Sequence, residues 1–172
     1  ERSALGASGS RRGAGTISDA VALWASRPDL HTPVLSDRLT SLWLRAEAQR
    51  LTSERSRAAA TVGGPGPEGS IGKLVGAELN QHIYEFCMDL LGPEGLLYDG
   101  YRMRGRDSGD DQEDGVEDWR GPIQQRFLRS RANTIEGGTS EVMRNILAER
   151  VLGLPGDLRA DAGMPWKEIP RG

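Results

Sequence analysis

Leu35-Ser36-Asp37-Arg38-Leu39-Thr40-Ser41-Leu42-Trp43-Leu44-Arg45-Ala46 places Leu35, Leu39, Leu42, Trp43 and Ala46 at steps of three and four, and Leu51 extends the series. A helix repeats every ~3.6 residues, so these side chains share one stripe while Arg and Glu take the other positions. The spacing predicts a helix from about Val34 to Ala60 whose apolar stripe must meet another element. Its partner follows at once. Ile71, Leu74, Val75, Leu79, Ile83, Phe86, Cys87 and Leu90 fall in register on a second helix from about Glu68 to Leu91. Gly63-Gly64-Pro65-Gly66-Pro67 separates the two, because neither glycine nor proline favours a helix interior. Two long amphipathic helices joined by a short loop make an antiparallel pair.

Toward the amino terminus, Ile17, Val21 and Trp24 mark a short helix with Thr16 as the expected N-cap. It ends before Pro28, since the residue preceding a proline avoids the helical region. Asp29 to Pro33 reads as a turn. Ala7 to Gly15 is Gly, Ser and Arg with little to bury, and weak order is expected there.

Toward the carboxy terminus, Gly92-Pro93-Glu94-Gly95 ends the second long helix, and Leu96 to Arg106 is irregular, with Tyr98 and Tyr101. Asp107 to Asp118 holds seven carboxylates and only Val116 as a sizeable apolar residue, the composition of a solvated loop. It lacks the alternating ligands and final Glu of a calcium loop, so no metal is expected. Helical character resumes at Pro122 and carries Ile123, Phe127, Leu128 and Ala132. A last helix, capped by Thr139 or Ser140, runs to Val151 with Val142, Met143, Ile146 and Leu147, and Gly153 and Pro155 stop it. The expected class is all-α, an antiparallel bundle of four to five helices over residues 1–155. An extended tail with Trp166 follows over 156–172.

Several functions are disfavoured by composition. At 172 residues the chain suits one domain, and its net charge of -3 with a pI near 5.5 lacks the basic footprint of a nucleic-acid binder. Cys87 is the one cysteine, so no internal disulfide forms and a buried, reduced thiol is expected. No apolar run approaches the ~20 residues that span a bilayer, and no signal peptide opens the chain; a cytoplasmic setting is expected. Glu1-Arg2-Ser3-Ala4-Leu5-Gly6 reads like an internal stretch, as in a truncated or processed piece. His31 and His82 lack the carboxylate-plus-nucleophile surroundings of a catalytic triad and are taken as surface or satisfied residues.

Gly137-Gly138-Thr139-Ser140 has two readings. Adjacent glycines let the backbone approach a ligand, and the helix that follows offers free N–H donors to an anion. The other reading is an ordinary turn between helices.

Residues Arg131 to Pro155, RANTIEGGTSEVMRNILAERVLGLP, resemble the carboxy-terminal signature of acyl-CoA dehydrogenases in a form common in actinobacteria. Asp89-Leu90-Leu91-Gly92-Pro93-Glu94-Gly95 is similar to that family's Gln-x-x-Gly-Gly turn, and Glu1-Arg2 to the opening of its first carboxy-terminal helix. The resemblance implies a carboxy-terminal four-helix bundle, accompanied in the whole enzyme by an amino-terminal helical domain and a β domain. It also implies FAD and α,β-dehydrogenation of an acyl-CoA to a trans-2-enoyl-CoA. Electrons would pass to an electron-transfer flavoprotein, and the assembly would be a homotetramer or a heterotetramer with another dehydrogenase subunit. A carboxylate must take the α-proton, which is only weakly acidic, and a desolvated carboxylate is the stronger base.

Carried over position by position, the resemblance implies FAD contacts at Thr139 and Glu141, with Glu141 also suited to capping the helix. It implies further cofactor contacts at Asp89, Gly92 and Arg27. Pro93 stands where the family has its second glycine, and Pro28 interrupts the Arg-x-x-Phe pattern that Arg27 and Leu30 would continue. Arg2 and Gly137 would lie at the substrate. Gly137 occupies the position where medium- and short-chain members carry the catalytic Glu. Glu136, one residue earlier, is the first choice for the base, and Asp19 on the first helix is the alternative. A third possibility is a non-catalytic partner subunit without a base, and outside the family a plain helical interaction module.

Overall fold

In the computed structural model, residues 12–63, 68–97, 122–156 and 165–168 are described. They form helices α1 (Ile17–Ser26), α2 (Pro33–Gly63), α3 (Glu68–Leu91), α4 (Ile123–Ser130) and α5 (Ser140–Arg150). Short 3-10 turns cover Pro28–Leu30, Gly92–Leu96, Arg131–Thr134 and Trp166–Glu168, and no strand occurs among the described residues. The all-α class and both long helices agree with the apolar periodicity, although α2 continues to Gly63. Arg2, Tyr98, Tyr101, the acidic stretch 107–118 and most of the tail lie outside the described residues.

Helix α3 is the hub, packed against the other four helices. Long-range pairs set the directions. Arg38 early in α2 meets Asp89 late in α3, and Gln49 farther along α2 donates to the Gly72 carbonyl, so the two helices are antiparallel. Tyr84 bonds Asp19, and Arg27 reaches Glu94, so α1 runs alongside α3 in the same sense. Gln124 reaches the Leu97 carbonyl while Arg131 reaches Glu85, so α4 runs antiparallel to α3. Leu79, Ile83, Tyr84, Phe86, Cys87 and Leu90 of α3 form the core with Ile17 and Ala20 of α1 and Leu42 of α2. Leu35, Leu39, Trp43, Ile123 and Phe127 close over them. Phe86 is 0% exposed, and burying a side chain of that size stabilises the fold by about 1.5–3 kcal/mol.

Three expectations need correction. Thr16 occupies the N-cap position of α1 with helical backbone angles and makes no side-chain cap bond; Ser18 Oγ instead donates to the Gly15 carbonyl at 2.6 Å. Part of the segment expected to be weakly ordered is tied down. Gly13 N–H donates to Glu47 Oε1 at 2.7 Å, and Arg12 lies 4.9 Å over the Trp43 ring. Val21, Leu51, Val75, Leu128, Val142 and Val151, all assigned to apolar stripes, are exposed. Periodicity identifies an apolar face, but the packed neighbours of each helix cover only part of its width.

Candidate functional site

The connection between α4 and α5 carries the residues of greatest chemical interest. Its backbone turns at Gly137 (φ 63°) and Gly138 (φ 108°), both in the positive range that favours glycine. Thr139 then takes extended angles as the N-cap of α5, its Oγ1 accepting from Val142 N–H at 3.3 Å. Of the two caps that the pattern allowed, Thr139 is the one that forms. Glu141, exposed on the first turn, has its carboxyl held below the ordinary carboxylate range by its own amide and by the Thr139 hydroxyl. It acts as a second cap, which is where a negative charge is favoured by the helix dipole.

Beside this terminus lies an open cavity of ≈ 460 Å³ between α3 and α5, lined by Gln81, His82, Thr134, Thr139, Ser140 and Arg144 among others. Ser140 is 7% exposed, and its Oγ has no hydrogen-bond partner. The Oγ itself is closed off from solvent, so Ser140 borders the cavity with the rest of the residue. Glu78 and Glu141 also line the cavity, and Glu78 is paired with Arg144.

The α3 face toward the connection is polar, and sequence reasoning missed it. Gln81 Nε2 donates to the carbonyls of Ser130 (3.2 Å) and Arg131 (3.3 Å) and to Thr134 Oγ1 (3.0 Å). Lys73 and Asn80 bond the same connection. Gln81 and Lys73 thereby meet the carbonyls of Ser130, Arg131 and Asn133 at the end of α4 and its 3-10 extension, and Asn80 holds the Asn133 side chain. In the sequence they look like the solvated face of an amphipathic helix; the one available signal is that Lys73, Asn80 and Gln81 sit seven and eight residues apart, on one side.

Glu136 is tightly engaged. Arg129 donates to Oε2 at 2.8 Å and Asn133 Nδ2 to Oε1 at 2.9 Å, and the Arg129 bond is the main reason its carboxyl lies below the ordinary value. It is not among the residues lining the cavity. Asp19, on α1, is likewise engaged: one oxygen accepts from the Tyr84 hydroxyl at 2.9 Å and meets Arg126 at 2.6 Å. The Cys87 thiol is fully buried, and burial, followed by the Asp19 charge, pushes it up to about 12.

Arg27, Asp89 and Gly92 gather at the far end of α3, roughly 28 Å along the helix from Lys73 by its rise per residue. Arg27 is taken by Asp29 at 3.3 Å and Glu94 at 3.4 Å, Asp89 is paired with Arg38 at 2.6 Å, and Gly92 is exposed with φ 55°. The structure thus divides the sequence-derived candidates. Glu136, Gly137, Thr139 and Glu141 share one connection, while Arg27, Asp89 and Gly92 share the opposite end. His31 is stacked on Trp24 with ring centroids 4.1 Å apart. Among the described residues, no three His, Cys, Asp or Glu side chains are grouped as a metal site, and no helix is long and apolar enough to cross a membrane.

Comparison with known proteins bears on this arrangement. The family model described as "Acyl-CoA dehydrogenase, C-terminal domain" matches residues 1–152. Acyl-CoA dehydrogenase IpdE1 of Mycobacterium tuberculosis is 35% identical over 128 residues, 72% of this chain and 27% of that protein. Acyl-CoA dehydrogenase FadE34 of the same organism is 34% identical over 121 residues, 69% of this chain and 14% of its own length. The chain thus spans about a quarter of the IpdE1 length and less of FadE34. Among solved structures, the Tcur3481-Tcur3483 steroid ACAD superposes with a TM-score of 0.60 at 25% identity, covering 82% of this chain and 34% of that one.

Proposed function

The chain belongs to the acyl-CoA dehydrogenase family as a carboxy-terminal domain, and from this we propose that it forms the helical wall of the flavin site in an FAD-dependent enzyme that oxidises an acyl-CoA to a trans-2-enoyl-CoA. Bound FAD would supply the hydride acceptor, and an electron-transfer flavoprotein would take the electrons onward in the bacterial cytoplasm. The observation that carries the cofactor contact is the cavity between α3 and α5, where Thr139, Ser140 and Arg144 meet beside the two-glycine turn. A phosphate oxygen there would meet the Arg144 guanidinium, while Thr139 and Glu141 already cap the first amides of α5. Thr139 shapes the terminus by capping it, and Gly137 and Gly138 keep the approach free of side chains.

The test uses the full-length protein mixed with acyl-CoA and a dye acceptor. Bound flavin and dye bleaching are expected, with FAD affinity falling about tenfold for Arg144→Ala, the equivalent of one charge-assisted hydrogen bond. A full-length protein without flavin and without bleaching would sink this reading.

A second reading, that the chain is a partner subunit which does not supply the base, is favoured by Glu136. Both of its oxygens are occupied and it lies outside the cavity lining. An acidic carboxyl held by a guanidinium is a poor proton acceptor. The Tcur3481-Tcur3483 steroid ACAD is named for two components, which agrees with a heteromeric assembly. Activity that appears only on co-purification with an adjacent dehydrogenase, and that is insensitive to Glu136→Gln, supports this second reading. Loss of activity in Glu136→Gln together with homotetramer formation refutes it and identifies Glu136 as the base.

A further inference from the structure

The half-buried Lys73 has a position that no general role for a surface lysine explains. Its ammonium donates to two main-chain carbonyls of the connection, Asn133 O at 2.6 Å and Gly138 O at 2.8 Å. The two acceptors are five residues apart and lie on either side of the positive-φ Gly137, with Gly138 itself the second acceptor. Asn133 is the penultimate residue of the 3-10 turn Arg131–Thr134, and Gly138 immediately precedes the cap of α5. The Asn133 carbonyl is thus one that a helix end leaves free, and the Gly138 carbonyl belongs to the turn itself. An ammonium has three donors and no acceptor, so one side chain can hold both carbonyls and set their separation. Asn80, two helical turns farther along the same face of α3, donates to Asn133 Oδ1 at 2.6 Å, and Asn133 Nδ2 in turn donates to Glu136 Oε1 at 2.9 Å.

We propose that Lys73 is a positioning residue of the site: by bridging the Asn133 and Gly138 carbonyls it sets the two-glycine turn, and through it the direction of the first amides of α5 and the placement of Glu136. The functional half rests on the FAD reading above; the structural half does not. The chemistry favours lysine over arginine. A compact ammonium on a flexible stem can turn its donors to two carbonyls, whereas the planar guanidinium presents its donors in a rigid fork. Removing the charge leaves two half-buried carbonyls without their donor, and the turn loses the tie that opposes its fraying.

The test compares Lys73→Met and Lys73→Arg with the unaltered full-length protein, read by amide hydrogen exchange and by FAD titration. In Lys73→Met the amides of 135–142 are expected to exchange about tenfold faster while those of the α2 interior keep their rate, since one lost charge-assisted bond corresponds to about that factor. FAD is expected to bind about tenfold more weakly, with a shifted flavin absorption band, and Lys73→Arg to recover only part of both effects. Unchanged exchange at 135–142, or an equal rise throughout α2, would overturn the proposal, because the first shows no tie at the turn and the second only a general loss of stability. Faster exchange at the turn with unaltered FAD affinity and spectrum also overturns it as a residue of the site. If the unaltered protein holds no flavin, the FAD reading fails, and the exchange comparison alone decides whether Lys73 sets the turn.

Discussion

Gly138→Ala is the substitution whose cost can be worked out most directly from the structure. Gly138 has φ 108°, so any L side chain there is strained, by about 1–3 kcal/mol. A Cβ at this position would stand 2.5 Å from Met143 Cε, and Met143 is 1% exposed, so the new methyl has no open space to enter. Overpacking a filled site costs about 1–3 kcal/mol, and the flexible Met143 thioether keeps this contribution near its lower end. The sum is a loss of about 2–4 kcal/mol, or a fall in Tm on the order of 4–15 °C for a chain of this size. Thermal unfolding by circular dichroism measures it. Gly72→Ala is the internal control. That glycine lies within α3 with nothing within 4 Å of a Cβ, and alanine should stabilise the helix there by about 0.5–1 kcal/mol. If Gly138→Ala melts at or above the parent temperature, the strained turn and its packing against Met143 are refuted.

Other outcomes follow from the same geometry. Phe86→Ala, at a fully buried position of the hub helix, should lower stability by about 3–5 kcal/mol in denaturant unfolding; a loss under 1 kcal/mol would place the core elsewhere. The Cys87 thiol, buried and pushed up to about 12, should resist a disulfide reagent at pH 8 in the folded protein and react promptly once unfolded; fast labelling of the native state contradicts its burial. Glu136 has a folded pKa below its ordinary value of 4.5, so its contribution to stability is present above that value and is lost as pH falls through the folded pKa. Stability of the parent measured from pH 6 downward should therefore fall more steeply in the acid range than that of Glu136→Gln, and parallel curves would show that the Arg129 pair has no role in the folded state.

Much of the candidate site was legible in residue order, though only where a local rule applied. Thr139 before a helical stripe announced a cap, and the adjacent glycines announced a turn of unusual backbone. Both depend on residues within a few positions of each other. Glu136 shows the limit. Its type and place suggested a base, but whether it faces the cavity depends on Arg129 seven residues before it and on Asn133, whose own orientation depends on Asn80. Asp19 is a similar case: on a helical wheel it is a free carboxylate, and in the fold Tyr84 and Arg126 converge on a single oxygen of it.

The sequence by itself determined the helices, because a 3.6-residue repeat and its Gly and Pro interruptions act over short distances and need no partner to be read. It also carried the family, in the run from Arg131 to Pro155. Only the tertiary structure decided which polar residues of α3 turn inward: Lys73 and Gln81 meet main-chain carbonyls, and Asn80 the Asn133 side chain, some 49 to 65 positions away. A helix end needs donors, but nothing in the order of residues says which distant side chain will supply them. That is set when packing of the apolar faces brings α3 against the connection.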